Sequence, residues 1–234
     1  MAQILGKKFP ALILCAALLL MLCGCGRENS TSPEAKENPF PGLPLDSESV
    51  ASLEAAYGKS IRELEEEWDF SMEDLAEELI GLGRWSLDRK IEVEGKDFWQ
   101  SLLVNKEDML TGFWFCRYCD SAEEAAELTE VIYRAAVEEY GEAKPGDLTS
   151  SSFLDGSVFD KIRNAGDSYW SKWCAWNIAW PVGEISYLQM QVRVNEDRQF
   201  FSIELTYRVL PEEWHRFEPG YEARFPMGPV VRGE

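Results

Sequence analysis

Residues 186–210 alternate in polarity with a period of two, and this constrains the fold more than any other stretch. Leu188, Met190, Val192 and Val194 oppose Gln189, Gln191 and Arg193; Phe201, Ile203, Leu205, Tyr207 and Val209 oppose Ser202, Glu204, Thr206 and Arg208. Successive side chains of a strand point to opposite sides, so each run has one apolar and one polar face. Asn195 to Gln199 reads as the hairpin loop between them. One buried and one wet face is the mark of an antiparallel sheet covered on one side.

The pattern upstream supplies the partners. Trp85, Leu87, Ile91 and Val93 alternate with polar residues, and Gly95-Lys96 fits a type II′ hairpin turn into a strand from Phe98 to Val104. A third strand runs from Leu110 to Tyr118. Ser121 and Glu124 then cap the longest helix, with Ala125, Leu128, Ile132, Ala135 and Ala136 on one face, stopped at Tyr140-Gly141. A Ser-rich loop from Thr149 to Ser152 and a helical turn near Phe159 to Ile162 lead to a strand over 168–180. Helices are expected at Val50–Tyr57, after the capping box of Ser60 and Glu63, and from Ser71 through Met72, Leu75, Leu79 and Leu82. The expected class is α+β, an antiparallel sheet of about six strands in the order three strands, long helix, three strands, with N-terminal helices. One domain spans 47–210; the tail 211–234, rich in Pro, Gly and charge, is expected to be irregular.

Ahead of this domain stands a leader. Lys7 and Lys8 precede an apolar run from Ala11 to Leu22, which as a helix rises about 18 Å against a hydrocarbon core of roughly 30 Å. Leu22-Cys23-Gly24-Cys25 closes it, and these four residues resemble the lipobox of bacterial prolipoproteins. The resemblance implies a signal peptide over 1–24, cleavage before Cys25, lipidation of Cys25, and a home on the extracytoplasmic face of the cell membrane. Residues 25–46, punctuated by Pro33, Pro39, Pro41, Gly42 and Pro44, read as the lipidated Cys and a flexible linker. The globular domain itself resembles no family by its motifs.

Charge narrows the partners. Two of the 23 Lys and Arg and none of the 42 Asp and Glu lie in the leader, so the mature chain carries 21 against 42, a formal charge of −21. Such a surface repels nucleic acid and anionic headgroups. The membrane is therefore met through the lipid anchor, and the remaining expected partner is an envelope protein or a wall ligand.

Candidate chemistry is sparse. His215 is the only His, which removes His-rich zinc sites, and no nucleophile elbow, phosphate loop or dinucleotide fingerprint occurs; no cofactor and no metal are expected. Cys116 and Cys119 form a Cys-x-x-Cys pair just before a helix. With Cys174 they allow three readings: buried free thiols, a structural disulfide from Cys174 to one of the pair, or thiol–disulfide exchange. Strand residues three apart point to opposite faces, so the pair bridges only if the chain turns after Arg117. The aromatic run Tyr169, Trp170, Trp173, Trp176 and Trp180 offers ligand-stacking rings, with Trp170, Trp173 and Trp176 as candidates; a strand apolar on both faces reads equally as a central, buried one. The carboxylates Glu63, Glu65, Glu66, Glu67 and Asp69 crowd one short helix and read as its wet face. The expected function is a non-enzymatic binding or interaction domain held at the membrane. Its alternative is an envelope enzyme, either a thiol oxidoreductase using Cys116 and Cys119 or a cell-wall hydrolase.

Overall fold

The computed structural model describes residues 40, 42–68, 72–73, 83–146, 148–165, 174–195 and 200–217. They lie within one compact unit, 37–234. Two helices, α1 (Ser47–Ala56) and α2 (Ile61–Trp68), lead into a two-residue strand β1 (Met72–Glu73). Strands β2 (Gly83–Val93), β3 (Lys96–Val104) and β4 (Leu110–Cys119) follow. The long helix α3 (Ala122–Tyr140) and two short ones, α4 (Ser151–Leu154) and α5 (Val158–Arg163), separate these from β5 (Cys174–Val182), β6 (Ser186–Asn195) and β7 (Phe200–Val209). Among the described residues the sheet is antiparallel with the order β1-β2-β3-β4-β7-β6-β5. This is the expected α+β architecture, with β1 added at one edge.

Local chemistry explains where the elements begin. Ser60 and Glu63 form the capping box, the carboxylate accepting from the Ser60 backbone N–H at 2.8 Å and from its hydroxyl at 2.7 Å. Ser121 Oγ accepts the Glu124 N–H at 3.1 Å, and α3 ends where Gly141, at φ 80°, donates its N–H to Val137 O. The β2–β3 hairpin differs from the expected type II′ turn. Val93 pairs with Lys96 across Glu94 (φ 50°) and Gly95 (φ 70°), and positive φ at both central positions is a type I′ turn, whose twist matches that of the strands.

All helices cover one side of the sheet. Val50 and Leu53 of α1, Ile61 and Leu64 of α2, and Ala125, Leu128, Ile132 and Ala136 of α3 share one core with Phe113, Phe115, Ile203, Leu205 and Tyr207. The N-terminal helices therefore do not cover the second face, as the double-sided aromatic run had suggested. Nor is that run's strand central: β5 is the last strand of the described sheet. Its outer edge is closed by the Ser-rich loop, with Ser150 N–H donating to Asn177 O at 2.7 Å and Asn177 N–H to Ser150 Oγ at 3.0 Å.

Three boundaries move. Phe40 and Leu45, placed in the linker by sequence, are fully buried. Phe40 sits among Trp68, Phe113 and Phe115 with ring centroids 5.3, 4.5 and 6.5 Å away. The Leu45 peptide is clamped by two phenols: Tyr207 Oη accepts its N–H at 2.8 Å, and Tyr140 Oη donates to its carbonyl. A Pro-rich segment thus packs because two aromatic-lined sites receive its two large apolar side chains. At the other end, 211–216 form a 3₁₀ turn with Trp214 buried and its Nε1 donating to Val209 O at 2.6 Å. Asn105 Nδ2 donates to Phe217 O at 2.7 Å, so the start of the expected irregular tail is fastened to the β3–β4 turn. Met72 and Glu73, expected in a helix, pair with Leu87 and Ser86 as β1; Leu75, Leu79 and Leu82 lie outside the described residues.

Candidate functional site

The Cys-x-x-Cys pair does not form a site. β4 runs straight through both residues, so Cys116 and Cys119 leave from opposite faces, and both are free and buried. Burial first, then the nearby carboxylate of Glu204, pushes the Cys116 thiol up to about 12; burial and then Glu124 do the same to Cys119. Neither is a thiolate at neutral pH. The turn after Arg117 that bridging needs is absent because Arg117, Tyr118 and Cys119 stay paired with Ile203, Ser202 and Phe201. The side chain of Cys174 lies outside the described residues, as do Trp170 and Trp173. Trp176 is half-buried against the core, on the same side as Ile178 and Trp180. It is part of the packing on the helical side.

The remaining sequence candidates resolve into local structure. Glu63 caps α2, and the Ser60 hydroxyl and backbone hold its carboxyl below the usual range. Glu67 pairs with Lys59 at 2.6 Å. His215 sits exposed on the 3₁₀ turn, its Nδ1 2.9 Å from Glu212 O. Among the described residues there is no group of three His, Cys, Asp or Glu side chains able to hold a metal ion, and no helix long and apolar enough to cross a membrane. Leu22, Cys23, Gly24 and Cys25 lie outside the described residues.

What the sheet assembles is a second face that no described helix covers. Register places its side chains in rows across five strands. One row reads Ser101, Trp114, Thr206, Gln189, Ala179; the next reads Trp99, Cys116, Glu204, Gln191, Asn177; a third carries Tyr118, Ser202, Arg193 and Ala175. Beyond the first lie Leu103, Gly112, Arg208 and Tyr187. Trp99 and Tyr118 are 48 % and 56 % exposed, and a small apolar contact of Ala179, Tyr187 and Leu210 with Leu148 closes one end.

Polar groups on this face hold one another in place. Trp114 Nε1 donates to Glu204 at 3.3 Å, and Arg193 approaches the same carboxylate oxygen at 3.4 Å. Arg193 also donates to Gln191, whose amide donates to Asn177 at 2.5 Å. Cations lie over the aromatic rings: Arg84 over Trp114 at 4.1 Å, Lys90 over Trp99 at 4.0 Å and Arg208 over Trp214 at 5.5 Å. Gly112 is needed for this arrangement. A Cβ there would meet Tyr207 O at 2.6 Å and Arg208 Cγ at 3.0 Å, so the Arg208 stem lies over the bare backbone.

These residues escaped the motif reading. Each polar member was visible in the alternation, but only as a solvent-facing position; nothing along the chain brings Arg84, Trp114, Glu204 and Arg193 together. The signal within reach was the unusual content of the polar phase, where Arg, Gln and Trp replace the Lys, Glu and Thr of an ordinary wet face.

Fold and site together define a class: a one-sided α+β sheet domain with a cation- and aromatic-bearing open face. No protein-family model matches the chain, and comparison with curated proteins and with solved structures gives no match.

Proposed function

We propose that the protein is a lipid-anchored, extracytoplasmic binding protein without catalytic activity, and that the open face of its sheet is the ligand-binding surface. The observation that carries the reading is the asymmetry of the sheet. One face is sealed by α1, α2 and α3, while the other presents Trp99, Trp114, Tyr118, Arg84, Arg193 and Gln191 on a rigid scaffold. A side-chain network already hydrogen-bonded within itself is preorganised, so little entropy is lost when a partner settles on it. The lipobox resemblance at Cys25 supports the anchor, with two acyl chains giving stable attachment at about 0.8 kcal/mol per buried CH₂. Because Phe40 begins the packed domain, the tether is 26–39, shorter than the spacing of Pro and Gly suggests. Thiol chemistry is the weaker reading, since both described thiols are buried and point to opposite sides.

Two measurements test this. Cys25→Ser is expected to move the protein from the detergent phase to the aqueous phase; retention in detergent defeats the anchor. A photo-crosslinking residue at Gln189, on the open face, is expected to give adducts in intact cells, whereas one at Glu127, exposed on α3, gives none. Equal adducts from both positions would remove the open face from consideration.

A further inference from the structure

The charges of the open face do not cancel. Lys90 pairs with Asp97 at 3.2 Å, and Arg193 pairs with Glu204 at 3.4 Å. Arg84 and Arg208 make no ion pair with any described residue, although the chain holds 42 carboxylates against 23 Lys and Arg. The buried Nε of each also lacks a hydrogen-bond partner. Each guanidinium is instead placed by an aromatic ring, Arg84 by Trp114 and Arg208 by Trp214. Meanwhile the acidic surplus is on the other side of the sheet, where α3 alone carries six Glu against one Arg. A guanidinium held by stacking and left without a carboxylate is an anion site kept open.

Spacing says what kind of anion. Arg84 on β2 and Arg208 on β7 are separated by three inter-strand steps, roughly 14 Å between backbones at about 4.8 Å each. One small anion does not span that distance; an extended chain does. Between and beside them the surface is flat and carries Thr206, Gln189, Gln191 and Asn177, side chains that match hydroxyl and amide groups. Peptides are held by apolar pockets or by a free strand edge. Here the β5 edge is taken by Ser150 at Asn177, and the exposed rings of Trp99 and Tyr118 lie on a flat face. Nucleic acid is opposed by the total charge of the chain.

Resting on the reading of the open face as the binding surface, we propose that its ligand is an acidic glycan whose carboxylates are received by Arg84 and Arg208 while its rings lie across the amide and aromatic rows. The full-length protein in detergent micelles is titrated with two oligosaccharides of equal length. One alternates N-acetylglucosamine with N-acetylmuramic acid bearing free lactyl carboxylates; the other is chitooligosaccharide, the same backbone without the carboxylates. Tryptophan fluorescence and calorimetry are expected to report binding of the first, weakening as salt rises, and at least about tenfold weaker binding of the second, the scale of a lost charge-assisted contact. Arg84→Gln with Arg208→Gln is expected to weaken the acidic strand by a similar factor, and Arg134→Gln on α3 to leave it unchanged. Equal binding of the two sugars, wild-type binding by the double variant, or no binding of the acidic strand at millimolar concentration each overturns the proposal. Crosslinks from Gln189 without acidic-strand binding remove the ligand class and leave the face; loss of those crosslinks removes the face as well.

Discussion

Along β4, Phe113 and Phe115 are sealed in the core while Tyr118, on the alternate phase of the same strand, meets solvent over half its surface. The covered face joins residues distant in sequence, such as Phe40 with Phe113 and Leu45 with Tyr207, through ring contacts and buried hydrogen bonds. The open face is held by side-chain pairs between neighbouring strands, at distances where water still competes. The first kind of contact gives stability, because apolar area leaves water; the second gives geometry at little net energy. A domain divided in this way can vary its open face without losing its fold.

Substitutions on the two faces should separate cleanly. Phe113→Ala removes a ring packed on Phe40, Trp68 and Phe115, and is expected to cost about 3–5 kcal/mol in denaturant unfolding. Tyr118→Ala, which loses mainly an edge contact with Phe200, is expected to cost less than about 0.5 kcal/mol. Comparable losses from the two would break the distinction. Tyr207→Phe leaves the Leu45 N–H without its acceptor, and burial already holds that phenol neutral, so a loss of about 1–2 kcal/mol is expected by the same measurement. An unchanged midpoint would mean that the 40–46 segment is not clamped.

Gln100 makes the covered face less uniform. It is buried on the helical side, and neither amide atom has a hydrogen-bond partner. Gln100→Met is therefore expected to stabilise by about 1 kcal/mol, raising the denaturation midpoint; a destabilised variant would show that the amide is satisfied in solution.

The smallest expected effect lies at the junction of the two layers. Burial alone would raise the Glu124 carboxyl. The Asp120 N–H at 2.7 Å, with Lys96 at 2.9 Å and Arg117 at 3.0 Å, instead holds it at about 2 against an ordinary 4.5. A depressed folded-state value stabilises above the unfolded one, and that contribution disappears as pH falls from about 4.5 through about 2. Thermal melts of Glu124→Gln and wild type are expected to differ at pH 7 and to converge near pH 2. A gap independent of pH would place the effect in the cap of α3.

Much of the architecture was legible. Alternation marked β6 and β7 within a residue, the capping boxes marked α2 and α3, and the strand–helix–strand order implied an antiparallel sheet. Misreadings occurred where local composition and tertiary contact disagree. Pro39 to Pro44 has the composition of a linker, yet Phe40 and Leu45 find apolar sites made by β4, α3 and β7. Trp176, Ile178 and Trp180 made β5 look central because apolar side chains do not show which layer buries them. Gln191, Arg193, Glu204 and Arg208 were each visible as polar positions, but a face exists only after register sets strands side by side.

By itself, then, the sequence determined the secondary structure, the antiparallel class, the acidic balance of the mature chain and the lipobox-like leader, because these follow from periodicity, capping and composition along one dimension. Only the tertiary structure decided which side the helices seal, that β5 ends the described sheet, and that Arg84 and Arg208 stand over tryptophans without a carboxylate. Those depend on strand order and on contacts between residues far apart in sequence, such as Trp114 and Glu204, which no local pattern encodes.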